Sequence, residues 1–334
     1  MRTIVPEYLR AAVPDNGFHA WLENLASLDV SGLDICLPEG EELADELRWL
    51  DVPEHAIAEV LASRPDPTLH PDAWWLLERC VARLINHLGL IADMAPFPEL
   101  PEELARQVPH LYLHVFVAML PHTRAYHRER DIPGRLSQAI LADLGRNVRV
   151  HERRYGEVGL GVVNWITLHF RGLIYDLGRL QFERAQMRGT LANAMRERAV
   201  DARPDETVLS IHVPDSKGPL TPEACDASIA CAHQFFAEHF PEERYRFAVC
   251  HSWLLDPQLN RCLRPDSNIV RFQERFELAD RLTEADRSIV QFVFGPVPDD
   301  PADLPQRTSL ERAVREHLLA GEHWYVRNGW FRFD

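Results

Sequence analysis

Residues 177–276 decide the fold, because short polar signatures recur there along one predicted β-α-β-α track. Polar side chains such as His212 and His251 interrupt otherwise apolar strands, where an unpaired polar group is costly. Strands of this kind are typical of a cleft wall or a hydrogen-bond network. The signatures are, in order, Leu177-Gly-Arg-Leu-Gln-Phe-Glu183, Ser210-Ile-His-Val-Pro214, Cys250-His-Ser-Trp-Leu-Leu255 and Ser267-Asn-Ile-Val-Arg-Phe272.

Around these signatures the chain alternates strands with helices. Runs rich in β-branched and aromatic residues predict strands, and apolar residues three and four apart predict helices. The alternation favours an α+β or α/β arrangement on a mixed sheet. Within the aromatic segment 324–333, predicted as a strand or hairpin, Asn328-Gly329 is a strong turn signal. The predicted strands are 162–170, 173–183, 208–213, 245–255 and 289–294, and the predicted helices are 222–240, 268–276 and 309–319.

The N-terminal part of the chain carries only helical periodicity. Pro109 and Pro121 are predicted to break or kink the segment 102–130, since proline lacks a backbone N–H. The change to mixed periodicity lies between about residues 125 and 160, so we predict a helical domain over 1–130 and a mixed domain over 131–334. The predicted helices here are 18–28, 41–50, 53–63, 71–90, 102–130 and 134–151.

Length and composition indicate a two-domain globular protein. The chain has 334 residues, 46% of them hydrophobic and 26% charged, which is ordinary for such proteins. Its formal charge of −15 argues against a nucleic-acid partner and against anionic membrane surfaces. Lys217 is the single lysine.

The cysteines and the apolar runs indicate a reduced, cytoplasmic location. No two of the six cysteines are spaced as Cys-x-x-Cys, and a disulfide framework is not expected in a chain of this length. Residues 1–13 lack the pattern of a signal peptide, and no run of apolar residues is long enough to span a membrane. The oligomeric state is not predicted.

The four signatures resemble those of bacterial acyltransferase domain-containing proteins. In that family a helical N-terminal domain precedes a domain similar to the general-control-related N-acetyltransferase (GNAT) fold, a mixed β-sheet flanked by helices. The resemblance covers nearly the whole chain. It implies transfer of an acyl group from acyl-CoA or acetyl-CoA, as co-substrate, to an amine of a small molecule or peptide, with no tightly bound cofactor. One alternative is a non-catalytic module that holds an acyl-CoA or an acylated carrier, and another is a hydrolase that uses Cys250 or Ser252.

The resemblance also implies a place for CoA. In the GNAT fold the pyrophosphate lies at the N-terminus of the helix after the first central strand, where free N–H groups and the helix dipole favour anions. By order this helix is 222–240, and Thr221 is a suitable N-cap before it. The preceding loop departs from the usual glycine-rich pattern, and Asp215 would repel a phosphate if it pointed inward, so the alternative is an ordinary capped surface loop. The candidate CoA-binding residues are Lys217, Gly218, Leu220 and Thr221.

His212 is the first candidate catalytic residue. Alternation along its strand places it beside Ser210 and opposite Ile211. As a general base it would take the proton of the attacking amine, a task suited to an imidazole. The alternative is a histidine that only makes a structural hydrogen bond.

Three further candidates are Glu183, His251 and Ser252. Glu183 is a possible base through a water, or else the partner of Arg179 or Arg184 in a salt bridge. Ser252 shares a strand face with Cys250 and is a candidate to orient the thioester, whereas His251 points to the other face.

Two patterns limit the chemistry. Phe272 stands where many acetyltransferases carry a tyrosine acid, so the leaving thiolate would need Tyr175, Ser252, Cys250 or water as its proton source. The histidines of segment 102–130 have no His-Glu-x-x-His pattern, so no metal site is predicted and surface or interdomain positions are expected for them. These histidines are His110, His114, His122 and His127.

Overall fold

The computed structural model describes residues 5–7, 9, 16–214, 217–295 and 300–334, without the side chains of residues 16 and 280–282. The chain divides into two compact units, Met1–Leu173 and Ile174–Asp334. The predicted boundary at residue 130 lies inside the first unit, because helices continue as far as Phe170. Asp215, which was expected to oppose a phosphate, falls outside the described residues.

The described residues of the first unit form α-helices around one apolar core that includes Leu22, Leu76 and Phe116. None of the described helices is both long and apolar enough to cross a membrane. The helices are α1 (Asn16–Ala26), α2 (Gly40–Trp49), α3 (Glu54–Ala62), α4 (Pro71–Asn86), α5 (Glu102–Gln107), α6 (Leu111–Glu129), α7 (Gly134–Leu141), α8 (Asp143–Tyr155) and α9 (Val163–Phe170).

The predicted helix over 102–130 is interrupted once. It ends near Pro109, and His110 adopts the left-handed conformation (φ 61°) before α6 begins. Pro121, in contrast, lies inside α6 without ending it. Of the surface or interdomain positions expected for the histidines, the surface alternative is wrong for His114 and His127, which are buried.

Residues 162–170 were predicted as a strand, and the structure corrects this to helix α9. Ile166 and Phe170 lie one helical turn apart and are both fully buried, so the helical period decides the conformation over the β-branched composition. Asn164 reinforces the helix start, because its amide exchanges hydrogen bonds with the backbone N–H and C=O of Phe97 at 2.8 and 2.9 Å.

The second unit contains a six-stranded mixed sheet with helices, as predicted from the resemblance. The strand order is β1-β2-β3-β4-β6-β5, with β3 and β4 parallel and the other pairs antiparallel. The strands are β1 (Ile174–Asp176), β2 (Gln181–Gln186), β3 (Thr207–His212), β4 (Phe247–Ser252), β5 (Glu277–Glu284) and β6 (Tyr325–Arg332). The helices are α10 (Gly189–Glu197), α11 (Pro222–His239), α12 (Leu259–Cys262), α13 (Asn268–Gln273), α14 (Asp286–Phe294) and α15 (Ser309–Leu319).

Several elements of this unit differ between the prediction and the structure. The predicted strand 173–183 is a hairpin of β1 and β2, turning at Gly178 (φ 101°), a conformation that favours glycine. Residues 289–294 belong to helix α14, and neither β5 nor α10 was predicted. Asn328 and Gly329 lie within strand β6 and form no turn. A Cβ at Gly329 would lie 2.7 Å from Leu255 Cδ1, so this glycine permits close packing.

Candidate functional site

The register of β2 and β3 separates polar from apolar side chains. Glu183 lies opposite Ser210, and Gln181 lies opposite His212, so these four share one face of the sheet. The other face is covered by aromatic residues of α11: the ring of Tyr175 lies 4.7 Å from that of Phe235. The polar face is therefore where substrate chemistry is available.

His212 and Glu183 form a hydrogen-bonded pair on this face. His212 Nε2 lies 2.7 Å from Glu183 Oε2, and Ser210 Oγ lies 3.4 Å from the same nitrogen. A carboxylate only accepts hydrogen bonds, so Nε2 carries the hydrogen and Nδ1 carries the lone pair of the neutral ring. Both side chains are partly exposed. Glu183 therefore fixes the ring orientation and the tautomer of His212.

The two parallel strands diverge beside this pair. The β3–β4 ladder joins Leu209 with Ala248 and Ser210 with Val249, and within the described residues it goes no further. Both strands nevertheless continue, β3 to His212 and β4 beyond His251. A gap between two parallel strands leaves backbone groups available to a ligand.

His251 lies across the gap from His212. Each is two residues past the last paired position of its strand, so both lie level on the same face. His251 Nδ1 lies 2.8 Å from Asn328 Oδ1, its register partner on β6. Because an amide oxygen accepts, His251 Nε2 carries the lone pair. Asn328 was missed in the sequence, since its pairing with β4 is visible only from the register.

The loop before α11 is held by side chains of the β1–β2 hairpin. Arg179 Nη1 donates to Pro214 O (2.9 Å) and Arg179 Nε to Pro219 O (3.3 Å). Lys217 Nζ lies 2.7 Å from Asp176 Oδ2, so the lysine charge is compensated by a buried carboxylate.

The start of α11 agrees with the N-cap predicted from the sequence. Thr221 Oγ1 accepts from Ala224 N (3.2 Å) as the predicted N-cap, and Pro222 occupies the first turn. Gly218 is exposed with φ 74°, and Leu220 is buried. The four predicted CoA-binding residues therefore surround a helix N-terminus.

Comparisons with known proteins agree with this geometry. Residues 41–172 match the model of the N-acyltransferase N-terminal domain, and residues 174–331 match that of the GNAT-like C-terminal domain. A solved acyltransferase in complex with decanoyl-CoA and teicoplanin is 39% identical, with a TM-score of 0.88 over 99% of this chain and 100% of that chain. The chain belongs to this acyltransferase family.

Two further solved structures extend the likeness. An acyltransferase in complex with CoA and 10C-teicoplanin is 38% identical (99% of this chain, 100% of that chain, TM-score 0.88). A mutant acyltransferase in complex with octanoyl-CoA is 39% identical (98% and 99%, TM-score 0.88). No curated protein sequence matches the chain. The predicted family, the GNAT-like fold and the acyl-CoA-dependent N-acyltransferase function are confirmed at the level of the family.

Ser252 lies on the opposite face of the acyltransferase sheet from His212, because it pairs with Arg327 while His251 pairs with Asn328. Its Oγ accepts from Leu254 N (3.1 Å) and caps the short helix Trp253–Leu255. Ser252 therefore does not share a face with His212, and its role in orienting the thioester stays a prediction.

A thiol nucleophile is equally disfavoured. Cys250 is 2% exposed, and burial raises the pKa of its thiol to about 12. Phe272, at the position where many acetyltransferases carry a tyrosine acid, is buried against Phe276 and offers no proton. The two nucleophiles considered for a hydrolase are therefore disfavoured, since the Cys250 thiol is not activated and Ser252 lies on the face opposite His212.

The salt bridges considered for Glu183 are replaced by its contact with His212. Arg184 instead holds Glu243, with its Nε 2.9 Å from Glu243 Oε2, and Arg179 holds the loop before α11. Glu183 is therefore available to the histidine.

One other cluster combines potential metal ligands. Among the described residues, one ligand atom each of Glu284, Asp286 and His323 lies within 4.8 Å of the others. His323 Nδ1 lies 2.6 Å from Asp286 Oδ2, and this hydrogen bond raises the pKa of His323. An exposed ion pair accounts for the arrangement.

Proposed function

We propose that this acyltransferase moves an acyl group from acyl-CoA to an amine, with His212 as the general base. The observation that carries the proposal is the 2.7 Å contact between His212 Nε2 and Glu183 Oε2 beside the gap of the parallel strands. Glu183 holds the ring and stabilises the imidazolium that forms when the proton arrives. The role predicted for His212 is kept in this proposal, whereas Glu183, predicted as a base through a water, is here assigned to orient the ring.

The reaction proceeds by direct attack. The amine nitrogen bonds to the thioester carbonyl carbon while His212 takes a proton from the amine. The C–S bond then breaks, and the CoA thiolate receives a proton from the imidazolium or from water. Backbone groups of β3 and β4 that face the gap hold the thioester oxygen, where fixed donors stabilise the developing charge.

CoA is placed by the start of α11. The helix N-terminus and the backbone around Gly218, Leu220 and Thr221 attract the pyrophosphate. Lys217 contributes less than a free ammonium would, since Asp176 already compensates its charge.

His251 and Asn328 hold the acceptor. With Nδ1–H directed at Asn328 Oδ1, His251 Nε2 accepts an N–H or O–H of the incoming molecule. His251 is exposed and level with His212, so the acceptor would lie between the two rings.

The relatives guide the choice of substrates. Because solved relatives bind octanoyl-CoA, decanoyl-CoA and teicoplanin, we expect a medium-chain acyl donor and an amine-bearing molecule of the teicoplanin class here. A cytoplasmic location fits a supply of acyl-CoA.

The test combines purified protein, acetyl-, octanoyl- or decanoyl-CoA, and teicoplanin lacking its acyl chain. Mass spectrometry follows the product and a thiol reagent follows free CoA. Equal amounts of acylated product and free thiol are expected with the medium-chain donors. Thiol release without product would indicate hydrolysis, and binding without either would indicate a non-catalytic module.

A further inference from the structure

Helix α4 of the first unit carries two deeply buried arginines. Arg79 and Arg83 lie one turn apart on the same face, and each is 2% exposed. Neither belongs to the site described above. Burying a guanidinium costs several kcal/mol unless an opposite charge and hydrogen-bond acceptors replace water.

The contacts of these two side chains are sparse. Arg79 Nη1 lies 3.4 Å from Trp75 O and 3.6 Å from Glu78 Oε2. Arg83 Nη2 donates to Asn24 Oδ1 on α1. Arg79 Nε and Arg83 Nη1 are buried without an acceptor. Burial accordingly lowers the pKa of both guanidinium groups.

The charges are also incompletely balanced. Within the described part of the chain, Glu78 is the carboxylate that pairs with Arg79, and it also accepts from Trp74 Nε1 at 3.0 Å. No described carboxylate forms an ion pair with Arg83. Glu78, which is partly exposed, thus balances Arg79 alone, and the charge of Arg83 has no described carboxylate against it.

Buried arginines elsewhere in the chain are compensated. Arg184 of the second unit forms a two-bonded contact with the Glu243 carboxylate. Arg171 of the first unit donates to the carbonyl oxygens of Leu90 and Ala92 at 3.1 and 2.8 Å. Arg79 and Arg83 have neither arrangement, so their burial calls for another acceptor.

Two indoles on the same two helices, α1 and α4, have the same need. Trp75 Nε1 and Trp21 Nε1 are buried without an acceptor. Trp75 lies under the guanidinium of Arg79, 4.3 Å from its ring centre, and Trp21 is one turn before Asn24 on α1. All four atoms are donors. A group with several acceptor oxygens and a negative charge satisfies such a set best.

We infer that the packed faces of α1 and α4 form a binding site for an oxyanion, a phosphate or carboxylate group held by Arg79 and Arg83. Arginine forks match the oxygens of both groups. The inference concerns the first unit alone and does not depend on the proposed reaction.

The first test is thermal unfolding of the full-length protein in increasing inorganic phosphate, at an ionic strength kept constant with chloride. A ligand that binds only the folded state raises the unfolding midpoint, by about 5 °C at phosphate far above its Kd. Arg83→Gln should lose most of this rise. Arg48→Gln, at an exposed arginine of α2, should keep it.

Two further variants keep the test informative if Arg83→Gln fails to fold. Arg83→Lys keeps the charge but loses the fork, so a smaller rise is expected, and Arg79→Gln should resemble Arg83→Gln. Absence of any phosphate-specific rise in the native chain, with acetate equally without effect, overturns the inference. So does a rise that Arg83→Gln and Arg79→Gln leave intact.

Four ligands, CoA, dephospho-CoA, phosphate and acetate, distinguish the possible sources of the anion. Calorimetry compares CoA with dephospho-CoA in the native chain and in Arg83→Gln. Loss of affinity for CoA alone would identify the 3′-phosphate of CoA as the occupant. Unchanged affinity for both, together with the lost phosphate response, would identify a free phosphate. Stabilisation by acetate and not by phosphate would identify a carboxylate.

Discussion

The histidines of the two units differ in what surrounds them. His114 and His127 are buried in the helical unit, and burial lowers their pKa values to about 3 and about 4. His212 is partly exposed and His251 is exposed on the sheet, and each has one ring nitrogen fixed by an acceptor. The same residue type therefore serves packing in one unit and is equipped for proton transfer in the other.

The largest effect is expected from His212→Ala. Loss of a positioned general base should lower kcat about 1000-fold, equivalent to about 4 kcal/mol, because such bases contribute 10²–10⁴-fold. His127→Ala is the matched control: it should lower the free energy of unfolding and leave the kcat of the folded protein nearly unchanged. Steady-state kinetics and urea unfolding of both variants make the comparison. Unchanged turnover in His212→Ala would remove the proposed base.

Whether the environment of a histidine could be predicted from the sequence differs from one histidine to another. Alternation along β3 correctly placed His212 beside Ser210, because strand periodicity is local. His114 is buried beside Ser63, whose Oγ lies 3.2 Å from its Nε2, and these two residues are far apart in the chain. Its i, i+4 spacing from His110 gave no sign of that burial.

The same difference between local sequence signals and long-range contacts applies to the rest of the fold and site. The Asn328-Gly329 turn signal is local, and it is overridden by the long-range pairing of β6 with β4. Glu183 was found in its motif, but its partner became visible only when the β2–β3 register placed it beside His212. Local signals thus predicted the candidate residues and many of the helices, though not α9, α10, α12 or α14, and non-local pairing decided which candidate residues meet.

The second largest effect is expected from lowering the pH, which acts on stability through the two buried histidines. The unfolded state binds a proton on each histidine near pH 6.5, whereas His114 and His127 resist protonation until about pH 3 and 4 when folded. The unfolding free energy therefore falls as pH is lowered from 6.5, by about 3 kcal/mol between pH 6.5 and 5 for the two together.

Urea unfolding across that pH range measures the slope. His114→Gln and His127→Gln should each flatten it, since each removes one linked proton. A free energy that stays constant from pH 6.5 to 5 would contradict the neutral, buried state of the two rings.

The smallest effect is expected from Ser252→Ala, which tests the comparison within the sheet itself. Ser252 lies on the face opposite His212, and its Oγ caps the helix Trp253–Leu255 through Leu254 N. Loss of an N-cap costs about 1 kcal/mol of stability. The kcat should stay within about twofold of the native value, since no reacting atom loses a contact. A drop in kcat comparable to that of His212→Ala, without loss of stability, would mean that the acyl thioester reaches this face and that the gap between β3 and β4 is open on both sides.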